Sequence, residues 1–196
     1  PNAAESDPKR SFAEIRTLDL ELLEKVGIVD LSAMIQSTER RTMDVTLQSV
    51  TAANWRALIK LKVRGDQNHF VASNLYSIAE AQFGWEEEGR WDFHPFGAYV
   101  NDTPVGFVMY CFNFNHPRFQ AFIMRLMVDE RFQGKGYGRA IMQQVLDVFR
   151  ENEQVKNVGI SYEPHNESAR KLYASLGFVE PSEMLEDETL AVLSLR

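Results

Sequence analysis

Cysteine is almost absent from this sequence. Cys111 is the single one, and it lies within the apolar run 105–112. One cysteine excludes a disulfide framework and a cysteine-rich metal site, and it is typical of a reducing compartment, so we expect a cytoplasmic protein. Histidines are few as well, and none has the spacing of paired metal ligands (His69, His94, His116 and His165). The sequence therefore predicts no metal site.

Long hydrophobic runs and an excess of basic charge are also missing. No apolar stretch approaches the roughly 20 residues of a membrane span, and the N-terminal residues lack the apolar region of a signal peptide. The 28 acidic residues outnumber the 21 lysines and arginines, which leaves a formal net charge of -7. Nucleic-acid binding depends on clustered basic side chains. We expect neither a membrane nor a nucleic-acid partner, whereas an acidic protein suits a cationic small molecule.

The chain divides into an extension and one domain. Its 196 residues with 44% hydrophobic content are enough for a single sizeable core. Residues 1–44 carry helix signals, with Ser11 and Glu14 at capping-box spacing and Gly27 as a stop. We expect this segment to be a helical extension that packs or makes a homodimer contact, or a partly disordered one. The domain is predicted to span residues 45–196.

Within residues 45–196 the patterns alternate between strand and helix. Strands are predicted at 45–50, 96–100, 105–114, 119–128 and 157–162, with a final pair near Phe178 and at 190–195. Helices are predicted at 52–61, 74–83, 138–151 and 166–176. This order indicates a mixed α/β (α+β) domain, with helices on both faces of one sheet.

A glycine-rich loop follows the strand that ends at Val128. Gly134, Gly136 and Gly138 alternate with other residues directly before a helix. Such a loop points backbone N–H groups into one concavity that binds anionic oxygens, and glycine lets the backbone approach them closely. Lys135 and Arg139 add positive charge. No Gly-Lys-Ser/Thr follows, and the glycine spacing differs from the dinucleotide-binding fingerprint, so the sequence favours neither a P-loop nor a Rossmann domain.

The string from Val128 through Gln133-Gly-Lys-Gly-Tyr-Gly138 closely resembles the pyrophosphate-binding motif of the GNAT superfamily of N-acetyltransferases. The run from Asn166 through Tyr173 to Gly177-Phe178 resembles the last helix of that superfamily. Residues 45–196 look like bacterial diamine and polyamine acetyltransferases, particularly at 74–77, 125–128 and 161–164. The resemblance implies a GNAT-like fold with a central twisted sheet of about six to seven strands. It also implies acetyl-CoA as cofactor and a primary amine such as spermidine or spermine as acceptor.

The resemblance implies a set of cofactor-binding residues, with the Val128 N–H near the thioester carbonyl. They are Leu126, Met127, Val128, Gln133, Gly134, Lys135, Gly136, Tyr137, Gly138, Arg139, Asn166, Arg170 and Tyr173. Asn166, Arg170 and Tyr173 share one helix face by their spacing. A phenol with a pKa near 10 can protonate a departing thiolate, which is the role that the superfamily gives to a tyrosine at the Tyr173 position.

The amine must lose a proton before it attacks, because alkylammonium groups have pKa values near 10. Glu163 and Glu80 are the candidate bases, and solvent is a third possibility. The substrate-binding candidates are Asn74, Tyr76, Glu80, Tyr162 and Glu163. Within the same enzyme class, an aminoglycoside-like or streptothricin-like antibiotic or a peptide N-terminus could replace the polyamine. The competing class is a binding protein that senses acyl-CoA without turnover, and the presence of Tyr173 favours the enzyme.

Overall fold

The computed structural model describes residues 45–84, 91–182 and 184–196. The extension expected at 1–44 lies outside these residues, so the domain division stays a prediction. The strands are β1 (Val45–Ser49), β2 (Asp92–Val100), β3 (Thr103–Phe112), β4 (Ala121–Val128), β5 (Asn157–Tyr162), β6 (Met184–Leu185) and β7 (Glu188–Ser194). The helices are α1 (Trp55–Leu58), α2 (Asn74–Phe83), α3 (Tyr137–Glu151) and α4 (Glu167–Ala174), with 3-10 turns at Gly65–Gln67 and Glu130–Phe132.

The described strands form one seven-stranded sheet in the order β1-β2-β3-β4-β5-β7-β6. Every neighbouring pair is antiparallel except β4 and β5, which run parallel. A parallel pair needs a crossover connection, and α3 supplies it between β4 and β5. The mixed sheet predicted from the sequence is therefore confirmed.

Helices cover both faces of the sheet, as predicted. On one face α3 buries an apolar stripe of Ile141, Met142, Val145, Leu146 and Phe149. This stripe packs with sheet residues such as Val108 and Ile123. On the other face Leu58 and Ile78 pack against Phe107, Met109 and Met127. Successive strand residues point to opposite faces, which is why the nearly continuous apolar runs of β3 and β4 are buried on both sides.

A seam divides the sheet between β4 and β5. The two strands pair only where residues 121–123 of β4 lie beside residues 158–160 of β5. Immediately after this stretch β4 contains a bulge, because Tyr110 pairs with Ile123 while Met109 pairs with Arg125. From Met124 to Val128 the strand pairs with β3 alone, so a row of its backbone groups is left without a strand partner at the seam.

Three predicted elements differ from the structure. The helix predicted at 52–61 is reduced to α1, because the preceding residues form a turn in which the Thr51 N–H donates to Asn54 Oδ1 at 2.7 Å. The strand β2 begins at Asp92, before Pro95, although proline argues against a strand interior. The strand predicted near Phe178 is a single bridge between Val179 and Val192, and β6 takes the edge instead.

Candidate active site

A cavity of about 380 Å³ opens at the seam. Four parts of the chain form its walls: the end of β4, the glycine loop, α4 and the segment 63–71. The lining residues are Val63, Arg64, Gln67, Phe70, Val71, Leu126, Met127, Val128, Phe132, Gln133, Gly134, Gly136, Tyr137, Gly138, Asn166, Ser168, Ala169, Leu172 and Tyr173. The structure thus brings together most residues that the sequence assigned to a cofactor site.

The free edge of β4 presents N–H groups to this cavity. Asp129 donates its N–H to Val105 O of β3 at 2.9 Å, so the backbone groups of Asp129 point away from the seam. Because backbone groups alternate in direction along a strand, those of Leu126 and Val128 point toward it. The Val128 carbonyl does so, since it accepts from Gln133 Nε2 at 3.0 Å. The N–H groups of Leu126 and Val128 are therefore available to a group bound in the cavity.

The glycine loop ends at the first turn of α3. Gly134 and Gly136 have φ values of 74° and 86°, in the left-handed region that residues other than glycine rarely adopt. Gly136 is the N-cap of a 15-residue helix and provides no side-chain cap. The first N–H groups of α3 therefore lack a side-chain acceptor and carry the positive end of the helix dipole. This arrangement is suited to an anion.

The charged residues predicted for the cofactor lie outside the cavity lining. Lys135 is exposed, and its Nζ donates to Arg131 O at 3.2 Å. Arg139 Nη2 donates to Ser175 Oγ at 2.5 Å, which joins α3 to the end of α4. Arg170 forms two hydrogen bonds of 2.9 Å with the Glu180 carboxylate. The structure thus gives all three residues protein partners.

Tyr173 lies at the inner wall of the cavity, where it is 6% exposed. Its ring contacts those of Tyr162 and Phe178, with centroids 5.4 and 6.0 Å apart. Burial raises the pKa of Tyr173 well above its usual value, and electrostatic interactions with Tyr162 and Glu188 add to the shift. The phenol is therefore protonated at neutral pH. None of the described residues forms a hydrogen bond with its hydroxyl.

Asn166 sets the position of the helix that carries Tyr173. Its Oδ1 accepts from the Ala169 N–H at 3.1 Å and caps the first turn of α4. Asparagine is favoured at this position because its side chain satisfies an N–H that the helix leaves unpaired. Asn166 also lines the cavity. Its side-chain oxygen is thus occupied by the helix, which the sequence motif alone did not indicate.

The residues predicted to bind the amine do not line the cavity. Asn74 is buried and donates to Leu58 O at 2.8 Å, whereas Tyr76 is 59% exposed on α2. Tyr162 donates its hydroxyl to Glu180 Oε1 at 2.6 Å. Glu80 forms an ion pair with Arg125, and Glu163 is half-buried directly after β5. The structure therefore spreads these residues over two sides of the seam.

Sequence reasoning missed the wall formed by Val63, Arg64, Gln67, Phe70 and Val71. No motif marks this segment, and contacts with distant residues hold it in place. Gln133 Nε2 donates to Gln67 Oε1 at 2.8 Å, and Asp129 Oδ2 accepts from the Lys62 N–H at 3.1 Å. It also missed Phe132, Ser168, Ala169 and Leu172, although the position of Ala169 four residues before Tyr173, on the same helix face, was a usable signal.

Two absences apply to the part of the chain that the structure describes. It contains no group of three or more His, Cys, Asp or Glu side chains that could hold a metal ion. None of its helices has the length and apolarity needed to cross a membrane.

Residues 55–178 match the Acetyltransferase (GNAT) family, and the chain belongs to that family. It is an acetyl-CoA-dependent N-acetyltransferase, and acetyl-CoA is its cosubstrate. The match covers α1 to Phe178 and so includes every wall of the cavity.

Individual relatives include polyamine-acetylating enzymes. The spermine/spermidine N(1)-acetyltransferase of Bacillus subtilis (strain 168) is 26% identical over 140 residues, which cover 69% of this chain and 88% of that protein. The crystal structure of spermidine N-acetyltransferase from Vibrio cholerae with CoA and spermine has a TM-score of 0.59 at 16% identity, covering 77% of this chain and 95% of that one. The crystal structure of an aminoglycoside acetyltransferase in complex with coenzyme A has a TM-score of 0.60 at 16% identity, and the match covers 77% of this chain and 95% of that one.

The residues present fit acetyl-CoA. The open concavity beside Gly134 and Gly136 has no heavy atom within 4 Å of where either Cβ would stand, so backbone N–H groups there are accessible to pyrophosphate oxygens. The free edge of β4 supplies N–H groups for an amide-containing arm, and the cavity continues to Tyr173. When bound, acetyl-CoA supplies the activated acetyl group.

Proposed function

We propose that this enzyme acetylates a primary amine of a polyamine or diamine, such as spermidine or spermine, by direct attack with Tyr173 as general acid. The observation that carries the proposal is the cavity itself, which has Tyr173 on one wall and the unpaired edge of β4 on another. The formal net charge of -7 and the name of the Bacillus subtilis relative support a cationic acceptor.

The backbone of β4 acts on the thioester oxygen. In this proposal the Val128 N–H donates to that oxygen and stabilises the negative charge that develops as the amine nitrogen bonds to the acetyl carbon. A fixed donor of this kind typically contributes 10²- to 10³-fold to kcat. The next peptide is already held in place, because the Val128 carbonyl accepts from Gln133 Nε2 and this bond anchors the end of β4 beside the N–H.

Tyr173 acts on the sulfur. Its hydroxyl gives a proton to the thiolate that departs as the carbon–sulfur bond breaks. A thiol has an ordinary pKa of about 8.5 and a phenol one of about 10, so transfer to the free thiolate is uphill by about 2 kcal/mol, and transfer to the less basic sulfur of the intact thioester costs more. The raised pKa of Tyr173 increases that cost. Transfer must therefore accompany bond breaking, and this requires the hydroxyl to be held close to the sulfur.

The amine proton leaves on the other side of the seam. Glu163 follows Tyr162 directly, and Glu188 precedes Thr189, the β7 residue that pairs with Tyr162. We propose that Glu163 accepts the proton, directly or through water, because the charge of Glu80 is paired with Arg125. None of the described lining residues is an Asp or Glu, so carboxylates outside this lining must bind a polycation.

The test combines an amine panel with the variant Tyr173→Phe. Thiol release from acetyl-CoA is measured with spermidine, spermine, putrescine, lysine, an aminoglycoside and a short peptide. We expect the polyamines to give the highest kcat/KM, with an advantage that shrinks as salt screens the charges. A higher kcat/KM for the aminoglycoside or the peptide would show that the acceptor is not a polyamine. Binding of acetyl-CoA without turnover of any amine would favour an acyl-CoA sensor.

Tyr173→Phe should lower kcat by about 10²- to 10⁴-fold, with little change in acetyl-CoA affinity, because the phenyl ring keeps the contacts with Tyr162 and Phe178. An acyl donor with a more acidic thiol should recover part of the lost rate. Thermal unfolding is the control for a structural role of the hydroxyl. A near-normal kcat where chemistry limits turnover would show that another group supplies the proton.

Two coarser features belong to the same proposal. We propose a cytoplasmic enzyme, in keeping with the free, buried thiol of Cys111, and cell fractionation checks this. We also propose self-association into a homodimer or a larger assembly. The spermidine N-acetyltransferase of Vibrio cholerae has been described as dodecameric. Light scattering on the purified chain measures the mass directly.

A further inference from the structure

We infer that Arg125 and Glu80 form an ion pair that positions the cavity edge of β4 for the reaction. Glu80 is therefore a positioning residue, neither the base nor a ligand of the amine. This inference rests on the proposed function, because it assumes that N–H groups of β4 contact the thioester. It assigns a role to Arg125, which the sequence motif contains but which has no part in the steps above.

Arg125 is located where the sheet changes its pairing. The parallel ladder with β5 ends at Ile123, Met124 is the extra residue of the bulge, and Arg125 resumes the antiparallel register opposite Met109. Leu126, the next residue, is the first of β4 to line the cavity. A change in the direction of the Met124–Arg125 peptide would therefore turn the N–H groups that follow it.

The guanidinium holds that peptide directly. Arg125 Nη1 donates to its neighbour's carbonyl, Met124 O, at 2.7 Å. Nη2 donates to Glu80 Oε2 at 3.3 Å, which connects the bulge to α2. The two side chains are only 20% and 7% exposed. Arg125 thus fixes the bulge carbonyl from one side while Glu80 fixes Arg125.

The surroundings argue against a role in stability alone. Arg125 is opposite the fully buried Met109, and Met124 packs with the apolar clusters on that face of the sheet. The Nε of Arg125 is buried without a hydrogen-bond partner among the described residues. Burying charge in such a place is costly, and apolar residues of similar volume often stabilise a protein more than a buried ion pair does. The gain from this pair is the orientation that it imposes on the bulge.

The experiment compares Arg125→Met, Arg125→Lys, Glu80→Gln and the double variant Glu80→Met/Arg125→Met. Arg150→Met, which removes an exposed arginine paired with Asp147, is the control for loss of one positive charge. For each variant, the dissociation constants of acetyl-CoA and of desacetyl CoA are measured, together with kcat, the pH dependence of kcat/KM, and thermal unfolding. Desacetyl CoA lacks the carbonyl that the β4 N–H groups would contact.

We expect Arg125→Met to lower kcat by about 10- to 100-fold, which is part of the effect of removing an oxyanion donor. It should weaken acetyl-CoA binding at least about threefold more than binding of desacetyl CoA. Glu80→Gln should show the same pattern more weakly, because the amide oxygen still accepts from Arg125, and its pH profile should be that of the wild type. The double variant should lose no more activity than Arg125→Met, since the two residues act as a unit.

Three results would overturn the inference. One is an unchanged ratio of the two dissociation constants in Arg125→Met. Another is a Glu80→Gln defect larger than that of Arg125→Met together with loss of the acidic limb of the pH profile, which would make Glu80 the base. The third is a purely additive double variant. If Arg125→Met does not fold, Arg125→Lys and the double variant supply the same ratio. The binding measurements need no amine, so they stand even if the acceptor assignment fails.

Discussion

Gly136 connects the glycine loop to α3, and its replacement by alanine tests the anion site. The residue has φ of 86°, and a Cβ added there would have no heavy atom within 4 Å. The folded protein would therefore pay only the conformational cost of a left-handed non-glycine residue, about 1–2 kcal/mol. For a chain of this size, about 1 kcal/mol corresponds to a shift of about 2–4 °C in Tm. Gly136→Ala should thus fold with a Tm about 2–8 °C lower.

Binding should suffer much more than folding. The added methyl group would stand in the open concavity, where pyrophosphate oxygens must approach the first N–H groups of α3. Loss of one hydrogen bond to a charged group costs about 1.5–3 kcal/mol, which raises the Kd for acetyl-CoA about 10- to 150-fold. Gly136→Val should be worse still, because a β-branched residue is larger and disfavours this φ more strongly.

Gly84 provides the matched control. It has φ of 72° and equally open space around its Cβ, but it ends α2 and does not line the cavity. Gly84→Ala should reproduce the shift in Tm and leave the Kd for acetyl-CoA unchanged. Isothermal titration calorimetry and thermal unfolding measure both quantities. Wild-type affinity in Gly136→Ala would refute the assignment of this loop to the pyrophosphate.

Further predictions concern Asp129 and Arg196. Burial acts to raise the pKa of Asp129, but hydrogen bonds from Arg131 and the Lys62 N–H outweigh it and hold that pKa below its usual value. The carboxylate therefore stabilises the fold above its unfolded pKa of about 3.9, and this contribution is lost as the pH falls through the folded pKa. Asp129→Asn should be less stable than the wild type at neutral pH. The difference between the two denaturant midpoints should close as the pH falls below about 4. A difference that does not change with pH would contradict the lowered pKa of Asp129. The Arg196 guanidinium donates to four carbonyls after or within the end of α3, those of Arg150, Asn152, Glu153 and Val155. Arg196→Ala should cost about 1–2 kcal/mol in urea unfolding, and Arg196→Lys should recover only part of it.

The fold could be predicted where local pattern and buried surface agree. The stripe of α3 recurs at helical spacing, and β3 and β4 are apolar runs of strand length, so these elements follow from sequence. The ends of β2 and α1 could not be predicted in this way. Pro95 pairs with Met109 inside the sheet, and neighbouring strands rather than local propensity maintain it there.

The candidate site likewise has a part that local sequence predicts and a part that only long-range contacts form. The glycine loop and Tyr173 have a sequence signature, because their chemistry depends on residues close together in the chain. Gln133 meets Gln67, and Glu80 meets Arg125, only through tertiary packing that spans 66 and 45 residues. A single sequence contains no signal for such pairs. The hydrogen bond between Gln133 and Gln67 shows that Gln133 connects two cavity walls, a role that the loop motif does not indicate.

The seam has a consequence for the cooperativity of the domain. Among the described strands, β1–β4 and β5–β7 pair only along the short ladder between residues 121–123 and 158–160, so few interstrand hydrogen bonds resist their separation and the apolar cluster beneath α3 holds them together. Regions with few such bonds open in sub-global steps of lower free energy than global unfolding. A molecule bound across the seam contacts both halves, and it therefore stabilises them together. Occupancy of the active site should thus determine whether this sheet unfolds as two parts or as one.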